Sequence, residues 1–553
     1  MISLVLPSYF VVAFGQPSWL SWCCPIAATV GYALFWKSLS FLSSSKQRFA
    51  LSLFWYAFVQ IVQISWMTSV QYQSAWLLVF DAFLCLFLGL LFAIFCHFLW
   101  MQKEGSLRVL SMLALASFWT ILEWSRLYIA CGFSFNFVGM SLSAFSSYAQ
   151  MISLFGILGL SFWVIFTNLL FLKAIGRGKE FTLQKKSAMV FCLFAILPFL
   201  FGEIRLHFLE NEGSSEQNER EIVVAILDTD LLPSEKVPID EYISAFISPW
   251  KQWDDIIHSL PKKNEVKIDM LIMPEAVVPF GFDTCIYSLD GVKGIFYKSF
   301  GEDIVSCFPP LEMPFAAKKV GTQENWSVSN AFWMQTIANY YHSEIVAGLD
   351  YEDKVAQKNY NSAFHFMPNQ NVQNRYDKQI LVPLGEYLPF TWCEVIAEKY
   401  GITSFFSHGA GPMVFSGKVP LSISICYEET FSHVVRKGRQ QGAQLFVSLS
   451  NDSWYPSSKL GRQHYDHGRL RALENGVSLI RSCNSGISAV IDGLGRTLIK
   501  SEDRTRLESK YKIILSSLKI KSFFTLYSFW GNSFIIGISF LFLGIFSYSR
   551  QKK

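Results

Sequence analysis

The chain has 553 residues, enough for two or three domains. It is 51% hydrophobic and only 16% charged, against roughly 25% charged in ordinary globular proteins, a skew that fits a membrane protein carrying one soluble domain. A formal net charge of +4 is too small to mark a nucleic-acid partner.

Taken in chain order, apolar runs long enough for a bilayer span, about 20 residues, lie near 21–42, 51–71, 76–100, 106–125, 150–172 and 187–206, and again at 523–547. A shorter run, 2–15, lacks the basic start and small-residue cleavage site of a secretory signal, so it reads as a first short span. The basic residues support eight spans with both termini inside. Lys37, Lys46 and Arg48 fall in one loop, Lys103 and Arg108 in another, Lys173, Arg177, Lys179, Lys185 and Lys186 in a third, and Arg550, Lys552 and Lys553 at the end. The intervening loops near 16–20 and 71–75 carry no Lys or Arg, as expected when cytoplasmic loops hold the positive charge. Segment 207–522 then lies outside, on the periplasmic side of an inner membrane where the cell has a periplasm. The expected domains are a bundle over 1–206, a soluble domain over 207–522, and a final span with a basic tail over 523–553. Asp81, Glu123 and Arg126 stand out as costly groups near apolar spans. The spacing of Glu123 and Arg126 allows them to pair on one helix face.

After Arg220 the pattern changes. Buried-strand patterns occur at Glu221 to Leu227, Asp269 to Met273, Ile345 to Gly348, Leu421 to Ile425, Leu445 to Leu449 and Val477 to Ile480, with helical stretches near 240–260, 389–400, 428–441 and 462–475. The alternation predicts a layered α/β domain. The stretch 280–340 breaks it with twelve Phe, Tyr and Trp side chains, among them Phe280, Tyr287, Trp326 and Trp333. It is either a lid or lipid-dipping surface, or an insertion packed on its own core. His464, Asp466 and His467 have helical spacing but no further ligand nearby, so a polar helix face is the expected reading and no metal is called for. The cysteines of the apolar stretches, Cys23, Cys24, Cys85 and Cys96, read as small hydrophobes, and no CxxC or Cys/His metal spacing occurs.

Cys426 ends the β-favouring run Leu421 to Ile425 and is followed by Tyr427-Glu428-Glu429. A thiol needs a base or a neighbouring cation to act as a nucleophile. Glu275, at the end of a predicted strand in Met273-Pro274-Glu275, can serve as the base. Lys378, in Tyr376-Asp377-Lys378, can stabilise an oxyanion, and the Tyr427 amide can add a second donor. Asn451, Trp454 and Asn484 are expected to shape the site wall or order loops rather than react.

These stretches resemble the nitrilase (carbon–nitrogen hydrolase) superfamily, and within it the bacterial apolipoprotein N-acyltransferases. The resemblance is carried by Met273-Pro274-Glu275; by Tyr376-Asp377-Lys378 with Leu381-Val382-Pro383-Leu384-Gly385-Glu386-Tyr387-Leu388-Pro389; by Cys426-Tyr427-Glu428; and by Ser450 to Trp454, Arg471 to Gly476 and Arg481 to Gly486. It covers nearly the whole chain. It implies a membrane bundle joined to an αββα nitrilase-like sandwich, with no cofactor. It further implies a ping-pong reaction in which Cys426 takes an acyl chain from a phospholipid, typically phosphatidylethanolamine, as a thioester. Glu275 is then the general base and Lys378 the stabiliser of the tetrahedral intermediate, supported by Glu386, Tyr427 and Glu428. The acceptor is the free α-amine of a diacylglyceryl-modified cysteine at the N-terminus of an apolipoprotein.

The chain departs from the family in two places. Leu227-Asp228-Thr229-Asp230-Leu231-Leu232-Pro233 replaces the usual Gln-x-Asn-Ile-Pro-Gln motif, with no match for the Trp that follows it, Trp250 and Trp253 lying farther along. The stretch between Glu275 and Lys378 is also longer than expected. The alternative reading is a membrane-tethered amidase or nitrilase acting on a small substrate; a third is a non-catalytic membrane receptor or assembly protein with a nitrilase-like domain. The bilayer spans argue against the amidase, and the intact Glu275, Lys378 and Cys426 argue against the receptor.

Overall fold

The computed structural model describes residues 1–73, 75–102, 107–129, 132–212, 220–318, 325–371, 373–388, 405–501 and 509–552. It forms two compact units, one of 1–217 with 457–476 and 524–553, the other of 218–456 with 477–523. The helical stretch expected at 389–400 lies outside the described residues.

The first unit is helical. Among the described residues, four of its helices, Trp76–Met101, Ile152–Ile175, Lys185–Asn211 and Asn532–Gln551, are long and apolar enough by length and composition to cross a membrane. Ile2–Phe14 and Val109–Ser125 are shorter apolar helices. The expected span at 21–42 is a helical run built from 3-10, α and π pieces between Ser21 and Phe41, and the one at 51–71 divides into the helix Ser45–Gln63 and the 3-10 turn Ser65–Thr68. Lipid gives helices little hydrophobic reason to associate, so packing must hold them. Here aromatic rings supply much of it: Phe35 stacks on Trp55 at 4.0 Å and Tyr56 on Phe92 at 4.5 Å.

Basic loop residues gather at one end of this unit. Lys37 donates to the carbonyls of Gly176 and Glu180 at 2.7 and 2.6 Å, and Arg177 to those of Gln102 and Trp100. The guanidinium groups of Arg48 and Arg177 both lie over the Trp100 ring, and Arg550 donates to Gln102. These cations satisfy carbonyls that helix ends leave without partners. Glu123 and Arg126 do not form the expected pair. Glu123 instead accepts from the Val138 amide at 2.8 Å, and Arg126 donates to the Phe135 carbonyl at 2.7 Å. Backbone groups of the 133–138 segment compete successfully for both.

The helix Leu460–Asn475 belongs to this first unit. Its expected polar face is buried: His464, Asp466, His467, Arg471 and Glu474 are each at most 2% exposed. Gln463 bonds Trp66 and the Gln63 carbonyl, Glu474 accepts from the Ile157 amide, and both histidine rings face Phe135.

The second unit is α/β. Its strands are β1 Arg220–Thr229, β2 Met270–Ile272, β3 Tyr287–Ser288, β4 Ala316–Lys318, β5 Trp326–Val328, β6 Glu344–Asp353, β7 Lys358–Phe366, β8 Asn374–Asp377, β9 Val414–Phe415, β10 Leu421–Ile425, β11 Leu445–Asn451, β12 Ser478–Asn484, β13 Ala489–Ile491, β14 Thr497–Lys500 and β15 Tyr511–Ile520. Twelve form one sheet whose main path runs β8-β7-β6-β2-β1-β12-β11-β10-β9. The central pairings β6-β2-β1 and β12-β11-β10 are parallel, and β15 closes antiparallel onto β1. Strand residues alternate between two cores, as a period of two requires. Val224, Ile226, Ile272 and Val346 share one core with Ile423, Ile425, Val447 and Ile480 from the other half of the sheet. Ala225, Leu227, Leu271 and Ile345 face a second core under helices Pro249–Ser259 and Asn330–Tyr341. The helix Ser432–Gln440 packs on β10. Two sheet halves facing one another with helices outside make the nitrilase-like arrangement, its sheet continuous and barrel-like rather than two separate layers.

The aromatic stretch 280–340 is a packed insertion. β3, β5 and β4 form a small antiparallel sheet, and Phe282, Tyr287, Phe296, Phe315, Phe332 and Trp333 are buried in the second core. Trp253 stacks on Trp333 at 5.0 Å and donates to Asn330, so it is a core residue.

Candidate active site

Each predicted catalytic residue stands where a strand ends. β2 leads into Met273-Pro274-Glu275, β8 into Lys378 and β10 into Cys426. The structure brings two of them and a supporting residue into one ion cluster. Lys378 Nζ is 3.3 Å from Glu275 Oε1 and 2.8 Å from Glu386 Oε1. Lys378 is 1% exposed and Glu275 6%. Burial works against the ammonium's charge, but the Glu275 and Glu386 carboxylates outweigh it and hold Lys378 well above the usual lysine range.

The cluster is braced by a residue that carries no local sequence signal. Asn361, on β7, donates from Nδ2 to Glu275 Oε1 at 2.7 Å and to Glu386 Oε1 at 2.9 Å. Glu386 Oε2 accepts from the Val382 amide at 2.7 Å, fixing its own loop. One amide thus holds two carboxylates against a single ammonium, which limits their rotamers before any substrate arrives.

Cys426 is half-buried and has φ +52°. A non-glycine residue in the left-handed region is strained, and such strain is common where a nucleophile is turned out of a strand. Burial pushes the thiol up and Glu275 adds to this, while Lys378 pulls it down. The resting sulfur is therefore protonated, and its activation needs a proton acceptor at the site.

The turn after Cys426 is held by Glu428, which is fully buried. Its carboxylate accepts from the Ile425 amide at 2.8 Å, the Gln379 amide at 2.5 Å, the Ile380 amide at 3.1 Å and the Tyr376 hydroxyl. Burial lifts this carboxyl to about 7, against the pull of the amides and of Lys378. Beneath the turn, buried Arg481 pairs with Glu429 and with Asp452, the latter at 3.2 Å, and the Cys483 thiol donates to Asp452 at 3.3 Å. Asn451 accepts from Ser453 and from Asn484, and Asn484 also accepts from Thr229 and the Leu231 amide. These asparagines order loops at the strand ends. The Tyr427 ring meets Phe431 edge-on, and Trp454 is partly exposed.

Sequence reasoning missed Asn361, Arg481, Glu429 and Asp452 as parts of this arrangement. Arg481 and Asp452 lie within motifs that carry the resemblance; Asn361 lies in none. A cleft of about 350 Å³ lined by Phe280, Asp350, Asn359 and Phe406, among others, opens in this unit without including Cys426, Glu275 or Lys378. Among the described residues, the second unit by itself holds no group of three His, Cys, Asp or Glu donors spaced to share a metal ion.

Comparison with known proteins identifies the family. Residues 244–538 match the carbon-nitrogen hydrolase family, and residues 10–170 match the apolipoprotein N-acyltransferase N-terminal domain. The chain is 31% identical to an apolipoprotein N-acyltransferase of Chlamydia caviae over 98% of this chain and 96% of that protein. It is 30% identical to one of Chlamydia pneumoniae over 96% and 94%, and 26% identical to one of Haemophilus influenzae over 79% and 74%. Alike from end to end to these proteins and matching both family models, the chain belongs to the apolipoprotein N-acyltransferase family.

Proposed function

We propose that this protein transfers an acyl chain from a phospholipid, through a thioester on Cys426, to the α-amine of the S-diacylglyceryl-cysteine that begins an apolipoprotein. Phosphatidylethanolamine is the proposed donor. In the first half-reaction Glu275 takes the thiol proton as sulfur attacks the ester carbonyl of the lipid. Lys378, held charged between two carboxylates, stabilises the oxyanion of the tetrahedral intermediate, which collapses to thioester and lysophospholipid. Glu275 returns its proton to the leaving glyceryl oxygen. In the second, the acceptor amine attacks the thioester, loses a proton to Glu275, and the Cys426 thiol is regenerated.

The observation that carries this reading is the Glu275–Lys378–Glu386 cluster, set against the turn of Cys426 by the hydrogen bond from Tyr376 to Glu428. The same groups could hydrolyse a small amide, with water in place of the amine. The long apolar helices favour a lipid substrate, since a soluble one gains nothing from them. Convergence of Lys37, Arg48, Arg177 and Arg550 at one end of the helical unit supports eight spans of an inner membrane, those loops inside and the catalytic domain on the periplasmic side.

The test is mass spectrometry of the purified protein after incubation with phosphatidylethanolamine and no acceptor. Cys426 should gain one acyl chain, and adding a diacylglyceryl-cysteinyl peptide should remove it with formation of N-acyl peptide. N-acyl peptide formed by Cys426→Ala enzyme would overturn the mechanism.

A further inference from the structure

Lys236 is a buried cation that the acyl-transfer scheme leaves unused. It ends the short helix Pro233–Lys236 and is 3% exposed. Taking an ammonium out of water is costly, and such groups are retained where a partner holds them. The acceptor here is the backbone carbonyl of Glu275, 3.1 Å from Lys236 Nζ.

That carbonyl sits on a tight, over-determined turn. Ala276, the next residue, has φ +44°. The turn is tied to β6 from both sides: the Gly348 amide donates to Pro274 O at 3.2 Å, and the Val277 amide donates to Gly348 O at 2.9 Å. The Glu275 carbonyl between these two ties faces Lys236. The lysine is itself anchored. Its own carbonyl accepts from Gln252 Nε2 at 3.2 Å, and Glu235 caps the Leu232 amide at 3.0 Å. The negative groups around the ammonium are Glu275, Cys483 when ionised, and Asp350. Burial lowers Lys236 to about 8 while those groups oppose the shift, so it carries its charge at neutral pH.

We propose that Lys236 is a positioning residue for acyl transfer: its ammonium clamps the backbone of Glu275 and keeps a positive charge behind the carboxylate that receives the thiol proton. The inference rests on the reading of Glu275 as the base. It assigns two separable contributions, a hydrogen bond that sets where the carboxylate points and a charge that favours its ionised form. Lys236→Met removes both, Lys236→Gln keeps a donor without the charge, and Lys236→Arg keeps the charge.

The experiment measures lysophospholipid release from phosphatidylethanolamine by the full-length protein in detergent micelles, as a function of pH. Lys236→Met should slow acylation of Cys426 by about 10- to 100-fold, the usual cost of a displaced catalytic group. Both Met and Gln variants should move the acid limb of the rate profile to higher pH, by about one unit, because losing a neighbouring cation makes the carboxylate easier to protonate. The Arg variant should leave the limb where it is. A purely structural lysine would instead lower thermal stability in all three variants and leave the limb unmoved, which overturns the proposal, as does wild-type acylation by Lys236→Met. If the Met variant is not recovered folded, the Gln and Arg profiles decide between the same outcomes. Glu275→Gln, run alongside, separates the two readings: if it still acylates at the wild-type rate the base assignment itself fails, whereas an inactive Glu275→Gln with an unshifted Lys236→Gln limb removes only the role given to Lys236.

Discussion

The Tyr376 hydroxyl lies 2.9 Å from both carboxylate oxygens of Glu428. Tyr376 is two residues before Lys378 and Glu428 two residues after Cys426. This one contact therefore sets the end of β8 against the turn that follows β10, and with it the position of the ammonium relative to the sulfur. The Gln379 amide and side chain complete the link, the first donating to Glu428 and the second to the Tyr376 hydroxyl at 2.7 Å.

Tyr376→Phe should expose the worth of that link. It deletes a donor to a buried carboxylate and leaves Gln379 Nε2 without its acceptor, an expected loss of about 1–3 kcal/mol in thermal or denaturant unfolding. Acylation of Cys426 should slow as well, because Lys378 and Cys426 are no longer held in one frame. Unchanged acylation with reduced stability would confine Tyr376 to a structural part.

Lys378→Ala should cost about two to three powers of ten in acylation rate if the ammonium stabilises the oxyanion. It also leaves the buried Glu275 and half-buried Glu386 carboxylates side by side without the ammonium between them, so unfolding should become easier by about 3–5 kcal/mol. Lysophospholipid release and a thermal melt of the same preparation read the two effects.

Gly348→Ala tests the turn that carries Glu275. A Cβ at this position would lie 2.6 Å from Glu275 Cα and 2.9 Å from both Ala276 N and Pro274 O. All three are backbone atoms with little freedom to yield. The expected result is a loss of about 1–3 kcal/mol and a fall of about 10- to 100-fold in acylation, with Cys426 still reactive toward a small alkylating agent.

Asp269 gives a pH dependence with a definite sign. Partial burial pushes its carboxyl up, but the Lys418 ammonium at 2.7 Å and the Val223 amide at 2.9 Å outweigh this and hold it below its ordinary 3.8. A carboxyl depressed in the folded state adds stability above its unfolded pKa and loses it as pH falls through the folded value. Wild-type protein should therefore lose stability below about pH 4 more steeply than Asp269→Asn. At pH 7 the variant should be the weaker by less than about 1 kcal/mol, since the pair is partly exposed to solvent screening. Melting curves between pH 7 and pH 3 would show the two lines converging.

Much of the architecture was legible in local pattern. Strands β1, β2, β6, β10, β11 and β12 announce themselves as short runs of β-branched and aliphatic residues, because strands covered on both faces need no polar alternation. Glu275 and Cys426 stand out because each follows such a strand, whereas Lys378 follows β8, whose Asn-Arg-Tyr-Asp sequence carries no such pattern, and stood out only through the motif resemblance. The long apolar helices are equally plain, since bilayer thickness imposes a minimum apolar length. The Leu460–Asn475 helix was legible as a helix but not as a buried one. Its composition is polar, and only Trp66, Gln63, Phe135 and Ile157, drawn from distant parts of the chain, explain why its polar groups can leave water.

The sequence by itself determined six strands of the second unit and the long apolar helices of the first, because those follow from periodicity and apolar length, and it marked Glu275, Lys378 and Cys426 as candidates through residue type and motif resemblance. Tertiary structure alone decided that Asn361 would bridge Glu275 and Glu386, that Lys236 would reach the Glu275 carbonyl, and that Glu123 and Arg126 would bind the backbone instead of each other. Such contacts depend on which strand ends or loops meet in space. A hydrogen bond works over about 3 Å, and nothing in the local spacing of residues 86 or 39 apart along the chain specifies that meeting.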